Sequence, residues 1–137
     1  MNKKIMIPVL VLLTACGGGS HGYKKAEDAQ DAGREFIRAS LDGDYDKASF
    51  YMYSDTTNKM LLDKWKRDYD HMDHEERKKY RDADIVAYNI QALNDSVTSY
   101  TYANSFKKDT TTIQVVRVGG AAGDWLVDLK SILNPKR

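Results

Sequence analysis

The sequence predicts an α+β fold, in which N-terminal helices pack on a curved antiparallel sheet of three to four strands. Three observations predict it. Apolar residues recur at helical intervals in the first half of the chain, and they alternate with polar residues from Ile85 onward. The only prolines are Pro8 and Pro135, so none interrupts a predicted element of the domain. Helices that precede a run of strands are typical of the α+β class, because such helices cover one face of the sheet.

The first helix is predicted from a stripe of small and apolar residues that ends at an acidic glycine turn. The stripe consists of Ala29, Ala32, Gly33, Phe36, Ile37, Ser40 and Leu41. Gly43 suits the left-handed conformation in which many helices end, and Asp44 can cap the helix that follows.

Three more helical segments are predicted before the sheet. The second helix carries Ala48, Tyr51 and Met52 inward. Ser54-Asp55-Thr56-Thr57 interrupts the second helix and opens the third, whose apolar stripe is Leu61, Trp65, Tyr69 and Met72. Asp73 and Glu76 have the spacing of a capping box, which predicts one or two further turns of helix.

The strands are predicted from a period of two. Val86, Tyr88, Ile90 and Ala92 alternate along the first strand. Asn94-Asp95 turns the chain into a second strand, Val97 to Phe106, which has Tyr100 and Tyr102 on one face.

A third strand, Thr111 to Val118, follows the turn at residues 107–109, and a glycine-rich loop leads to a last strand, Trp125 to Leu133. We expect Trp125 and Phe36 to face each other in the core between helices and sheet.

The N-terminal residues combine a basic head with a short apolar run. Lys3 and Lys4 precede nine almost wholly apolar residues, Ile5 to Leu13. This run is too short to span a bilayer and suits a secretory signal peptide. The residues that follow, Leu13-Thr14-Ala15-Cys16, resemble the lipobox of bacterial lipoproteins, in which the cysteine is lipidated and becomes the first residue of the mature chain.

This resemblance implies three segments and a location. Residues 1–15 are the signal peptide, residues 16–25 are the lipidated cysteine with a flexible tether, and residues 26–137 form one domain. Cys16 is the only cysteine, so it forms no internal disulfide, and the glycines after it neither pack around a thiol nor hold a base beside it. The implied partner is the membrane of a bacterial envelope, reached through acyl chains on Cys16. Gly17 after the cysteine favours the outer membrane of a Gram-negative cell.

The charge balance argues against an electrostatic nucleic-acid binder. The chain has 21 Lys and Arg and 20 Asp and Glu, and loss of Lys3 and Lys4 with the leader leaves it nearly neutral. Nucleic-acid binders show a basic face or a strongly basic total. We also find no Ser-His-Asp arrangement and no phosphate-binding glycine loop before a helix, so the sequence predicts no cofactor.

His71 and His74 are the candidates for a metal site. Their three-residue spacing lets them share a helical face, and with a neighbouring carboxylate they could bind a transition metal. We interpret the cluster as a solvated helix junction, because Asp73 already serves there as a cap. The sequence therefore predicts no metal site.

Two motifs of the domain carry a second resemblance. The turn at residues 41–48, LDGDYDKA, and the final strand at residues 123–128, GDWLVD, look like those of small secreted proteins of the NTF2-like (cystatin-like) superfamily, many of which are lipoproteins with a DUF4878-type domain. The resemblance implies a cone of helices and sheet. It does not specify a chemistry, because the superfamily contains isomerases, dehydratases, transport adaptors and binding domains without a known reaction.

Five aromatic residues are candidates for the wall of a ligand cavity in that cone: Trp65, Tyr69, Tyr88, Tyr100 and Tyr102. Aromatic residues also serve simply to fill a core, and both readings stay open here. An enzyme of this shape needs an Asp, Glu or His base facing the cavity. The inward strand positions carry mostly Val, Ile, Ala, Asn and Phe, so no catalytic residue is assigned.

The sequence therefore predicts a membrane-tethered, non-catalytic domain that binds a small apolar ligand or an envelope protein. The alternative is an NTF2-like envelope enzyme, of isomerase or hydrolase type, whose acid and base are not identified.

Overall fold

The structure, a computed structural model, describes residues 22–135. Those residues form four α-helices followed by a curved, open antiparallel sheet of four strands, which confirms the predicted α+β class. The proposed signal peptide, Cys16 and the first residues of the tether lie outside the described residues. Within residues 22–135, no helix combines the length and the apolar character needed to cross a bilayer.

Each of the four helices begins after an aspartate whose side chain accepts a hydrogen bond from a backbone N–H of the first turn. The helices are α1 (Ala29–Asp42), α2 (Tyr45–Phe50), α3 (Thr56–His71) and α4 (His74–Asp82). The four capping residues are Asp28, Asp44, Asp55 and Asp73. Such a bond satisfies a donor that has no partner inside the helix, so these aspartates fix where each helix starts.

Gly43 ends α1 for two separate reasons. Its φ is 76°, the left-handed conformation that glycine adopts without strain. A Cβ at this position would also lie 2.9 Å from the Tyr69 hydroxyl oxygen and closer still to the ring. The turn between α1 and α2 therefore packs directly on α3.

The sheet is a meander with the spatial order β1-β2-β3-β4. Its strands are β1 (Ile85–Asn94), β2 (Val97–Asn104), β3 (Thr111–Val118) and β4 (Asp124–Asp128). The predicted last strand is too long, because Leu129–Leu133 form a 3-10 helix. Just beyond the end of β4, the Ser131 hydroxyl accepts a hydrogen bond of 2.8 Å from the Gln114 N–H of β3. This side chain thus provides the acceptor that the backbone of a longer β4 would have provided.

The core lies between α1 and the inner face of the sheet. Its fully buried side chains include Phe36 and Ile37 on α1, Ile113 and Val115 on β3, and Val127 on β4. The stripe predicted for α1 is buried except for Ser40, which is half-buried. Tyr100 packs so closely beneath α1 that a Cβ at Gly33 would lie 2.9 Å from its ring.

The expected pairing of Trp125 with Phe36 is wrong. The Phe36 ring lies instead beside Trp65 of α3, with 6.0 Å between the ring centroids. Trp125 lies on the edge strand β4, where it is only partly buried and borders a groove with Asp28 and Ala29. Ala29 is two turns of α1 before Phe36, about 10 Å away along the axis.

Within the described residues, contacts with the domain begin at Tyr23, three residues before the predicted domain boundary at Ala26. The Tyr23 ring contacts Phe50, with 5.5 Å between the centroids. The Lys24 carbonyl accepts a hydrogen bond of 2.5 Å from the Tyr51 hydroxyl. These contacts attach the end of the proposed tether to α2.

Candidate ligand-binding site

A cleft of about 240 Å³ lies between the helices and the sheet, beside the C-terminal half of α1. Five aromatic side chains from four elements line it: Tyr45 on α2, Trp65 and Tyr69 on α3, Tyr80 on α4 and Tyr102 on β2. We call this space the aromatic cleft. For comparison, an apolar protein cavity of about 150 Å³ holds benzene.

The helix caps place the aromatic residues of α2 and α3. Tyr45 is the first residue of α2 and directly follows its cap, Asp44. Its hydroxyl donates a hydrogen bond of 3.1 Å to the Trp65 carbonyl, and its ring meets the Tyr69 ring edge-on with 6.0 Å between centroids. Trp65 and Tyr69 are four residues apart on α3 and therefore share one helical face.

Tyr80 is held in place through Arg38 of α1. The Arg38 guanidinium donates hydrogen bonds to the carbonyls of Tyr80, Arg81 and Ala83, at distances of 3.3, 3.0 and 2.7 Å. These carbonyls lie at the C-terminal end of α4, where a helix leaves its last carbonyls without the usual partner four residues later; the Tyr80 carbonyl also accepts a hydrogen bond from the Ala83 N–H. One side chain of α1 thus anchors the helix that forms one wall of the cleft.

The phenols of the cleft are donors and apolar surface rather than bases. Burial raises the pKa of Tyr45, Tyr80 and Tyr102, so these groups are neutral at physiological pH. The Tyr69 side chain is only 8% exposed, and its buried hydroxyl has no hydrogen-bond partner among the described residues.

Two carboxylates also belong to the cleft. Asp68 lies on α3 and keeps 57% of its side chain exposed while it pairs with Lys64 at 2.6 Å. Asp109 lies in the exposed loop before β3. Among the described residues that line the cleft, none is Lys, Arg or His.

The structure brings together three of the five aromatic residues named from the sequence. Trp65, Tyr69 and Tyr102 line the cleft. Tyr100 is buried but belongs to the core under α1, and it is not among the lining residues. Tyr88 is 61% exposed, so its assignment to the cavity wall is wrong.

A β-bulge in β1 explains the error at Tyr88. Ala87 pairs with Tyr102 and Asn89 pairs with Thr101, which leaves Tyr88 as an extra residue on β1. Ile85 and Ile90 both pack against the core although they are five residues apart. In a strictly alternating strand, Ile85 and Ile90 would lie on opposite faces of the sheet. The extra residue of the bulge lets both of them face the core, and Tyr88 faces outward.

Sequence reasoning missed Tyr45 and Tyr80. Each had a local signal, because Tyr45 directly follows the cap of its helix and Tyr80 is the only aromatic residue of α4. In a helix that is otherwise polar, the single large aromatic side chain is the one expected to pack against the rest of the domain. That argument assigns Tyr80 to the interior but not to a cavity.

The two candidate metal-binding histidines lie in different helices. His71 is the last residue of α3, and its Nδ1 lies 2.6 Å from the Arg67 carbonyl oxygen, whereas His74 is the first residue of α4. In the part of the chain that the structure describes, no group of three or more His, Cys, Asp and Glu is placed to hold a metal ion.

Similarity to known proteins adds nothing to the assignment of the cleft. Comparison of the chain with protein-family models, with curated proteins and with solved structures gives no match. The function has to be argued from the residues of the site itself.

Proposed function

We propose that this protein is a lipid-anchored envelope protein whose domain binds a small ligand in the aromatic cleft without converting it. The observation that carries the proposal is the convergence of five aromatic side chains, from four different elements, on one cavity of about 240 Å³. Concave, mostly apolar sites with a few polar groups are the usual form of small-molecule sites.

The volume of the cleft limits the ligand. Sites for drug-sized molecules have volumes of roughly 300–1,000 Å³, and this cleft is smaller. We therefore expect a ligand of one or two rings or of similar bulk. Few atoms then contribute to binding, so a dissociation constant between about 1 µM and about 1 mM is expected.

Binding without turnover is supported by the state of the polar groups. A general base needs a pKa near the working pH and a place within hydrogen-bond distance of the reacting proton. Tyr45, Tyr80 and Tyr102, whose pKa values are raised by burial, stay protonated at neutral pH and therefore do not act as bases. Asp68 is more than half exposed to solvent, and its carboxylate is already paired with the Lys64 ammonium at 2.6 Å.

The membrane part of the proposal rests on the N-terminal sequence. Lipidation of Cys16 after removal of residues 1–15 would leave six residues, 17–22, between the anchor and Tyr23, which contacts Phe50. Glycine-rich linkers of that length have a root-mean-square end-to-end distance of about 13 Å. The proposal includes the kinship with NTF2-like lipoproteins of the DUF4878 type and a place in the outer membrane of a Gram-negative cell.

A fluorescence titration tests the proposal. In the Trp125→Phe variant of the full chain, purified in a non-ionic detergent, Trp65 is the remaining tryptophan and reports on the cleft. A set of soluble one-ring and two-ring compounds is titrated, and we expect at least one to change the Trp65 emission with saturation.

The matched variants are Ser40→Phe and Tyr88→Phe. Ser40 lines the cleft, so a phenylalanine there should fill the cleft and abolish binding. Tyr88 is exposed outside the cleft, so Tyr88→Phe should leave binding unchanged. Equal binding in Ser40→Phe would place the ligand elsewhere and contradict the proposal. Recovery of a chemically altered compound, at a rate that collapses in Asp109→Asn, would favour the enzymatic alternative.

A further inference from the structure

The charged side chains among the described residues that line the aromatic cleft are all acidic. Asp68 and Asp109 contribute two carboxylates, and no basic side chain belongs to the described lining. Tryptophan and tyrosine rings attract cations through their negative faces. We propose that the ligand is a small organic cation, such as a quaternary or alkylated ammonium ion; this inference rests on the proposed function and names the class of ligand.

The aromatic residues suit a cation because they are fixed before it arrives. Tyr45 is held by its hydrogen bond to the Trp65 carbonyl, and Tyr80 is held through the bonds of Arg38 to the end of α4. Tyr102 is 7% exposed and is held by the sheet. A site whose side chains are already ordered loses little conformational entropy on binding.

An uncharged apolar ligand fits the same site less well. It would bring hydrocarbon close to Asp68 and Asp109 and remove water from them without compensation. An anionic ligand would meet two like charges.

The chain's own cations do not occupy this position. Lys64 pairs with Asp68, but both side chains are more than half exposed, at 62% and 57%, and such an i,i+4 pair is weak enough for a ligand to displace. Lys79 and Lys107 lie over the Phe106 ring, at 5.6 and 5.3 Å from its centroid, and neither lines the cleft. Phe106 in turn packs edge-on against Tyr80.

A pair of isosteric probes tests the inference. Choline and 3,3-dimethylbutan-1-ol have nearly the same shape, but only choline carries a charge. Both are titrated by calorimetry into the full chain, purified in a non-ionic detergent. We expect choline to bind at least about tenfold more tightly, and its affinity to fall between about 20 mM and about 300 mM NaCl.

The carboxylates provide the matched variants. In the double variant Asp68→Asn/Asp109→Asn, choline affinity should fall about five- to tenfold while the affinity for the alcohol is unchanged. Asp63→Asn, on the same helix but outside the lining, should leave both affinities unchanged. Thermal melting of each variant shows that it is folded.

The outcomes separate the inference from the proposed function. Equal or tighter binding of the alcohol, or full choline affinity in the double variant, would overturn the cation inference and leave a neutral-ligand site standing. Absence of choline binding would also overturn the inference, and the titration with one-ring and two-ring compounds then decides whether the cleft binds ligands at all.

Discussion

Asn58 of α3 has no exposed surface, yet its side chain is an amide. Its Nδ2 donates to the Tyr53 carbonyl and to Asp128, both at 2.9 Å, and its Oδ1 accepts a hydrogen bond of 2.7 Å from the Lys130 N–H. These bonds join the start of α3 to the chain that follows β4. Buried polar side chains are normally hydrogen-bonded, and the bonds of Asn58 connect segments about 70 residues apart, which points to a structural role for this residue.

Truncation of Asn58 should therefore be costly. In Asn58→Ala the partner groups lose their hydrogen bonds inside the protein, and we expect the free energy of unfolding to fall by about 2–4 kcal/mol. Urea denaturation measures it. The control is Asn89→Ala, because Asn89 is exposed on β1. An equal loss in the two variants would contradict the role given to Asn58.

The lowered pKa of Asp55, the cap of α3, should make the stability of the protein depend on pH. The Asn58 N–H and the Lys130 ammonium hold the pKa of Asp55 below its usual value. The unfolded chain then binds this proton more readily than the folded chain. The contribution is fully present above the usual pKa of about 4 and is lost as pH falls through the lower folded pKa.

Asp55→Asn should thus weaken the acid sensitivity of the protein while it keeps a residue able to cap the helix. Free energies of unfolding measured between about pH 2.5 and about pH 6 should fall less steeply with acid in the variant. A slope identical to that of the unsubstituted chain would show that Asp55 does not contribute.

The turn between α1 and α2 shows how one glycine can combine two requirements. Gly43 and Gly120 have the same φ of 76°, but a Cβ at Gly120 would meet nothing within 4 Å, whereas one at Gly43 would collide with Tyr69. We expect Gly120→Ala to cost about 1 kcal/mol from backbone strain alone. Gly43→Ala should cost at least about 1 kcal/mol more, from the contact with the ring.

Thermal or urea denaturation of the two glycine variants measures the difference directly. Because Tyr69 lines the cleft, Gly43→Ala should also change ligand binding, and Gly120→Ala should not. Equal destabilisation would mean that the ring moves aside without cost.

The bulge in β1 should allow the strand to tolerate the deletion of one residue, Tyr88. Removal of Tyr88 brings Ile85 and Ile90 into strict alternation, so the variant should fold with a loss of about 1 kcal/mol or less. Removal of Thr101 from the regular central strand β2 shifts the buried Tyr102 to the opposite face of the sheet and should prevent stable folding. Circular dichroism with thermal melting distinguishes the two, and equal damage would contradict the role of the bulge.

What the sequence predicted well depends on neighbouring residues. The caps at Asp44 and Asp73 are confirmed, because a side chain that bonds to the backbone three residues later is a local feature. The inward face of β2, with Tyr100 and Tyr102, is confirmed for the same reason, because alternation is local.

What it missed depends on residues far apart in the chain. The last strand stops early where Ser131 bonds to Gln114 and Lys130 bonds to Asn58. Tyr88 is turned outward by the pairing of β1 with β2, which its own alternating neighbours do not reveal. The aromatic cleft itself needs four elements to meet, so the sequence could suggest aromatic residues for a wall but not which of them would share it.

At the scale of the whole molecule, the proposed lipidation of Cys16 would set where the protein resides. In Cys16→Ser, we expect lipidation to be lost, because the thiol that would carry the lipid is absent. The protein should then appear as unprocessed precursor or as a soluble form, since stable anchoring needs two or more acyl chains. Metabolic labelling with a fatty acid measures this. Label that persists in the variant would overturn the lipoprotein assignment.

The direction of α1 has a consequence for how a ligand would reach the protein. Chain entry and cleft lie at opposite ends of this helix: residues 23–25 precede its start, and the cleft borders its last turns. A helix of 14 residues is about 21 Å long. An anchor at Cys16, as proposed, would therefore be joined to the domain at the end of α1 that lies away from the cleft, so that a ligand entering the cleft would not have to pass the point of attachment.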